Sequence, residues 1–171
     1  AMLAAIFGVG ASALAWLLLA DWGAIAVSGV ASALGLVARQ ELGRRHARLF
    51  WLPFTAALIG GALAGIAIKF GWTSTAGLCL IVPSLMLVPG PHLINGVSDV
   101  FDNHIQPGLC RLGLAVGILV AAALGAFLGG WLTLDVTTLP PPPAPHPLTL
   151  PVVVGLAGLA ALGFGAFYNA P

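Results

Sequence analysis

Apolar runs of about 20 residues recur along almost the whole chain, separated by short polar breaks. A run of that length crosses the roughly 30 Å hydrocarbon core of a bilayer as an α-helix, at about 1.5 Å per residue. Charged residues make up only 6% of the 171 residues and the mean hydropathy is +1.07, unlike the composition of a soluble domain. The sequence therefore predicts an all-α, polytopic membrane bundle of about six transmembrane helices. We place them at residues 1–20, 22–38, 49–68, 73–88, 110–134 and 149–168.

The few polar residues exclude several classes of function. The chain has only six basic residues and a net charge of +1, which gives no basic patch of the kind that neutralises the phosphates of nucleic acid. Cys79 and Cys110 stand in no CxxC or His-Cys spacing, which argues against a disulfide framework and a zinc site. Motifs of soluble hydrolases and nucleotide-binding proteins do not occur, and the common spacing of Asp99 and Asp102 does not by itself indicate a metal or a catalytic dyad. We expect no enzyme activity, no cofactor and no metal.

Loop charges predict the orientation of the helices. Lys and Arg close to the ends of spans stay on the cytoplasmic side, and the loop after the second span, RQELGRRHAR at residues 39–48, holds four of the six basic residues. This loop is therefore predicted to be cytoplasmic. Counting alternately from it places the amino end of the first span and the 89–111 segment inside the cell, and Asp21 and Lys69 outside.

A proline-rich stretch divides the chain. Residues 138–151, TLPPPPAPHPLTLP, cannot form a helix and are typical of a polyproline II spacer, here predicted outside the cell. We therefore expect a five-helix membrane half at 1–134, an external linker at 135–150, and the first helix of a second, truncated half at 151–171. Both ends of the sequence adjoin apolar runs directly, so we expect a piece of a larger protein.

Small residues recur at helical spacing in the second, third and fifth predicted spans. Gly61 and Gly65 lie in the third span, and Gly117, Gly125 and Gly129 lie in the fifth. Small residues let helices approach closely in lipid, where no hydrophobic force drives helices together. The spacing favours helix packing over a glycine-lined substrate path.

Most of the polar chemistry lies in one segment, residues 89–111, PGPHLINGVSDVFDNHIQPGLCR. The segment begins with three residues that should break the fourth span: Pro89, Gly90 and Pro91. Proline lacks an N–H and disfavours helical geometry in the residue before it, whereas Pro91 suits the first turn of a new helix. Polar residues then recur every three or four positions, which predicts an amphipathic helix of about four turns, closed by Pro107 and Gly108.

This amphipathic helix has two interpretations. In one it lies flat at the cytoplasmic interface with its polar side in water. In the other it belongs to a broken-helix site, where backbone N–H groups near Gly90 and His92 bind a substrate carboxylate and Asn95 or Asp99 binds the ammonium group.

Titratable side chains in the same segment suggest a proton pathway. Asp99 is a candidate proton-binding group, since partial burial raises the pKa of a carboxylate. His92 and His104 lie on either side of it in the sequence and suit a proton relay, although an interfacial role fits each of them as well. Arg111 is either a positive-inside anchor or a salt-bridge partner of Asp99 or Asp102.

Three motifs in order give the chain a resemblance to a known family. They are LVPG at 87–90, LINGVSD at 93–99, and GLCRLG at 108–113, which opens the next span. In this pattern, and in an Arg-rich loop between the second and third spans, residues 1–134 resemble the threonine/serine exporters of the bacterial inner membrane. The final run, GLAALGFGAFYNAP, is similar to the opening of the second membrane half of that family.

The resemblance implies a function and a set of partners. Members of the family export L-threonine and L-serine with the energy of the proton gradient, and have about ten spans in one chain or in two partner subunits. The partners implied here are an amino-acid substrate, protons, the lipid bilayer, and a missing second half or another copy of the chain. The matching site positions are Pro89, Gly90, Asn95, Asp99, Gly108 and Arg111.

Two other functional classes stay open at this point. A non-transporting assembly or anchoring subunit would use the polar helix to dock a partner, and predicts that residues 92–106 lie at the surface with no cavity behind them. A passive channel predicts flux that ignores the proton gradient. Whether Asp99 faces a cavity or the surface distinguishes an exporter from an anchoring subunit.

Overall fold

The computed structural model describes residues 2–133 and 148–168, which form helices joined by turns. Seven helices lie in that part of the chain: α1 (Met2–Leu17), α2 (Trp22–Arg44), α3 (Trp51–Lys69), α4 (Ala76–Leu85), α5 (Gly90–Phe101), α6 (Ile105–Thr133) and α7 (Leu150–Phe167). The predicted all-α membrane class is confirmed. The proline-rich linker predicted for 135–150 lies almost entirely outside the described residues.

In the described ranges, fewer helices than the six predicted are long enough to cross a membrane alone. Four helices, α2, α3, α6 and α7, combine sufficient length with sufficient hydropathy. The first predicted span is a shorter apolar helix, the 16-residue α1. The fourth is reduced to the ten residues of α4, and it counts as a span only when joined to α5 across a 63° bend.

The second helix is longer than its apolar run. The span predicted at 22–38 continues as α2 to Arg44, because Arg, Gln, Glu and Leu in this stretch are good helix formers. The Arg45 N–H then donates to the carbonyls of Glu41 and Leu42, and His46 takes a left-handed φ of 55°. Arg39, predicted in the loop, therefore lies inside a helix, five residues before its end.

Glycines set the distance between α3 and α6. A Cβ added to Gly125 would lie 2.2 Å from the Phe54 carbonyl oxygen, and one added to Gly129 would lie 2.2 Å from that of Leu58. The two backbones therefore touch along this seam, and the helix-packing interpretation of the small residues holds there. Since later residues of α3 contact later residues of α6, the two helices run in the same direction.

The other helices alternate in direction around this pair. Gly10 of α1 touches Gly163 of α7, and the rings of Phe7 and Phe167 lie 5.0 Å apart, so α1 and α7 are antiparallel. The start of α1, the end of α2, the start of α3 and the end of α7 consequently meet at one end of the bundle. We call this the Arg-rich end, after the connection between α2 and α3 at residues 45–50.

Candidate functional site

The structure has a break near the predicted Pro89, Gly90 and Pro91, but only Pro89 lies within it, because Gly90 and Pro91 already form the first turn of α5. α4 ends at Leu85, α5 begins at Gly90, and the two helix axes differ by 63°. Pro83 packs against Gly60, at the middle of α3. The chain thus leaves α4 inside the bundle, not beyond its end.

The prediction that Pro107 and Gly108 close the polar helix is wrong. α5 ends at Phe101, Asn103 takes a left-handed φ of 62°, and α6 starts at Ile105, so both residues lie in the first turns of α6. Proline is tolerated there because the N–H groups of a first turn have no partner in the helix. Gly108 is buried against α5, where an added Cβ would lie 2.8 Å from the Gly96 carbonyl oxygen.

The structure joins Asp99 to Arg111 across the α5 and α6 hairpin. A guanidinium N–H of Arg111 donates to the Asp99 carboxylate at 2.5 Å. The Asp99 side chain is 24% exposed and the Arg111 side chain is 47% exposed, so the ion pair is partly exposed. Of the two predicted roles of Arg111, the salt bridge with Asp99 is confirmed.

The other predicted site residues are spread along α5 and are not brought together. His92 and Asn95 are exposed, and Gly90 is half-buried at the start of the helix. Asp99 lies nine residues after Gly90, which is about 13 Å along the axis. A single small amino acid therefore does not contact both ends of this helix at once.

Two cavities accompany these elements. A groove of about 460 Å³ between α4 and α6 is almost wholly apolar, and the buried hydroxyl of Ser84 there has no hydrogen-bond partner among the described residues. A second cavity, of about 330 Å³, lies at the Arg-rich end between α1, α2, α3 and α7. Its polar side chains are Arg39, Gln40 and Tyr168, and neither cavity is lined by Asp99 or Asn95.

A second polar cluster, at the opposite end of the bundle, was missed by the sequence analysis. The Asp21 carboxylate caps α2 at the Ala24 N–H and accepts hydrogen bonds from Thr73, Ser74 and Thr75, before α4. Burial raises the pKa of the Asp21 carboxyl, but hydrogen bonds from Ser74, Ala24 and Thr73 outweigh it and hold the pKa well below its usual range. An Asp directly before an apolar run signals such a cap; its partners some 50 residues away do not show in the sequence.

Comparisons with known proteins agree with the motifs in the polar segment. Residues 1–132 match the family described as "Putative threonine/serine exporter". The chain is 30% identical over 111 residues to the "Probable succinate transporter subunit YjjP" of Escherichia coli strain K12. It is 28% identical over 110 residues to the protein of the same name from Klebsiella aerogenes.

The matched regions cover 63% of this chain but only 42% of each relative. The chain thus spans less than two thirds of the length of the curated relatives it matches. No solved structure matches it.

Proposed function

The chain belongs to the threonine/serine exporter family, and we propose that it forms the membrane part of an exporter that exchanges L-threonine and L-serine for protons. The observation that carries the proposal is the family match over residues 1–132, which includes the broken helix and the polar hairpin after it. Discontinuous helices are a recurring way to build substrate and ion sites in secondary transporters.

In this proposal Asp99 carries the proton. The Asp99 carboxylate is paired with the Arg111 guanidinium in the structure, and a carboxyl group without charge makes a weaker pair with arginine. A proton arriving from outside would weaken the contact between α5 and α6, and its release into the cytoplasm would restore it. The α5 and α6 hairpin is then the moving part, with the PGP break as its hinge.

Succinate is the second candidate substrate. Both relatives carry the name "Probable succinate transporter subunit". Threonine, serine and succinate share a carboxylate, and differ in the ammonium group and in the second carboxylate. Competition between unlabelled threonine, serine and succinate for one labelled substrate therefore decides which class the protein carries.

The transporter would need more membrane helices than this chain supplies. The relatives are named subunits, and the matched region is 42% of their length. We propose that a second membrane half or another copy completes the path. An anchoring subunit stays a competing function, because His92 and Asn95 are exposed and neither cavity is lined by Asp99 or Asn95, which is the arrangement expected of a docking surface.

Reconstituted vesicles test the exporter directly. Vesicles loaded with labelled threonine, with acid outside, should lose it faster than vesicles without a gradient. Asp99→Asn should remove the response to the gradient, whereas Asp102→Asn, three residues further on in the exposed turn, should keep it. Efflux that ignores the gradient in the wild type would identify a channel, and no flux of any of the three substrates would favour an anchoring subunit.

We also propose a bacterial inner-membrane location with the Arg-rich end in the cytoplasm. The chain provides its own reporter, because Cys110 is exposed near the start of α6 and Cys79 is buried. A membrane-impermeant maleimide should label Cys110 in inverted vesicles and not in intact spheroplasts. The opposite pattern would reverse the orientation.

A further inference from the structure

Arg39 is a charged residue at the wall of the cavity at the Arg-rich end. It is half-buried on α2, beside the cavity of about 330 Å³, which is open to the surroundings and large enough for a small molecule. Apolar side chains such as Leu3, Leu36 and Leu52 form most of the remaining wall. A half-buried guanidinium among apolar side chains loses part of its hydration, so binding of an anion beside it would be favourable.

Arg39 has no carboxylate partner among the described residues. Within the same part of the chain, Arg44 and Arg45 pair with Glu41, and Arg111 pairs with Asp99. The contact that Arg39 does make is with an aromatic ring, since its guanidinium carbon lies 4.6 Å from the centre of Phe167. That cation-π contact holds the group in place without neutralising it.

Tyr168 connects the same cavity to the broken helix. Its ring lines the cavity beside Phe167, and its hydroxyl donates a hydrogen bond to the carbonyl oxygen of Val88, in the break between α4 and α5. One wall of the cavity is thus in direct contact with the element expected to move during transport.

We propose that the Arg39 and Tyr168 cavity binds the carboxylate of the transported substrate, an inference that rests on the proposed function. Arginine presents a planar fork of N–H donors that matches the two oxygens of a carboxylate. Within the described part of the chain that fork faces no carboxylate, and Gln40 and Tyr168 add neutral polar groups for the rest of the substrate molecule. The bound chemical class is a small carboxylate, free or as part of an amino acid.

Binding of labelled threonine and labelled succinate to the purified membrane assembly tests the inference. Arg39→Gln should weaken binding by about 10- to 100-fold, the usual value of hydrogen bonds to a charged group. Arg39→Lys keeps the positive charge without the planar fork of N–H donors, so its affinity for the substrate should lie between those of wild type and Arg39→Gln. Arg48→Gln is the matched control, because it removes an exposed arginine from the same end of the bundle and should bind like wild type.

A competition experiment keeps the test independent of how well the variants fold. L-Threoninol, which carries an alcohol in place of the carboxylate, should fail to displace the labelled substrate from wild type. Two results would overturn the carboxylate site: effective displacement by threoninol, or equal substrate affinity of Arg39→Gln and Arg48→Gln. Neither result would contradict the proposed export function. Binding of succinate and not threonine would support the site and contradict the proposed amino-acid substrate, whereas binding of neither would overturn the site.

Discussion

Replacing Asp21 by Asn should destabilise the bundle at the end opposite the Arg-rich end. One carboxylate oxygen accepts hydrogen bonds from Ala24 N–H at 2.8 Å, from the Thr73 hydroxyl at 2.8 Å and from the Thr75 hydroxyl at 3.0 Å. The other accepts from the N–H and the hydroxyl of Ser74, at 2.5 and 2.9 Å. This carboxylate therefore ties the start of α2 to the segment before α4.

The size of the effect follows from the chemistry of the amide. Asn keeps one acceptor oxygen but presents an NH2 group in place of the second, so the two donors of Ser74 lose their acceptor. Each hydrogen bond to a charged group contributes about 1.5 to 3 kcal/mol, and the low end applies because Asp21 is half-exposed. We expect Asp21→Asn to cost about 3 kcal/mol of unfolding free energy.

Unfolding in mixed micelles with increasing sodium dodecyl sulfate, followed by tryptophan fluorescence, measures this loss. Asp102→Asn is the control, since it makes the same change at an exposed position and should shift the unfolding free energy by less than about 0.5 kcal/mol. If Asp21→Asn were as stable as this control, the hydrogen bonds of the cluster would not hold these segments together.

The same cluster predicts a pH dependence. The folded-state pKa of Asp21 lies below the unfolded value of about 3.9, so the unfolded state binds the proton more tightly. The stabilisation is complete above that value and is lost as the pH falls toward the folded-state pKa. Wild type should therefore lose stability below about pH 4. Asp21→Asn should lack this part of the acid response, and an unchanged acid profile in the variant would refute the assignment.

Three further predictions concern the helix seam, the ion pair and the break. Gly129→Ala should cost about 1 to 3 kcal/mol because its methyl group meets the backbone of α3, whereas Gly113→Ala, where nothing lies within 4 Å, should be neutral in the same unfolding assay. Exchanging Asp99 and Arg111 in a double variant should restore part of the stability lost in each single variant, a coupling of about 0.2 to 1 kcal/mol for a partly exposed pair; no coupling would refute the pairing. Tyr168→Phe should speed amide hydrogen exchange around the break, which mass spectrometry can follow; unchanged exchange would mean that the hydroxyl does not hold the break.

Local chemistry made part of this architecture predictable. Four spanning helices follow from apolar length alone, because each residue adds a fixed rise against a fixed bilayer thickness. The PGP break follows from the missing proline N–H. The salt bridge of Arg111 with Asp99 was one of two predicted roles of Arg111, because opposite charges on consecutive helices attract each other.

Tertiary contacts determined the rest. Hydropathy placed Arg39 in a loop because it measures apolarity, whereas the helix continued on the helix-forming tendency of its polar residues. Gly108 looked like a helix stop, but its lack of a side chain serves close packing against Gly96. The partners of Asp21 lie more than 50 residues away in sequence, and no local pattern reports that distance.

Substrate binding and the geometry of the broken helix should be coupled through Tyr168. A tyrosine hydroxyl has a single hydrogen to donate, and in this structure it goes to the Val88 carbonyl oxygen. A substrate carboxylate bound to Arg39 could accept the hydrogen bond of the Tyr168 hydroxyl in place of the Val88 carbonyl oxygen. The break would then lose its hydrogen bond to Tyr168. Saturating substrate should therefore increase amide exchange in the α4 to α5 break of wild type. In Tyr168→Phe the exchange should already be fast and should not respond further. Protection of the break by substrate in wild type would show that the hydroxyl keeps its bond to Val88, and that binding and helix opening are not linked in this way.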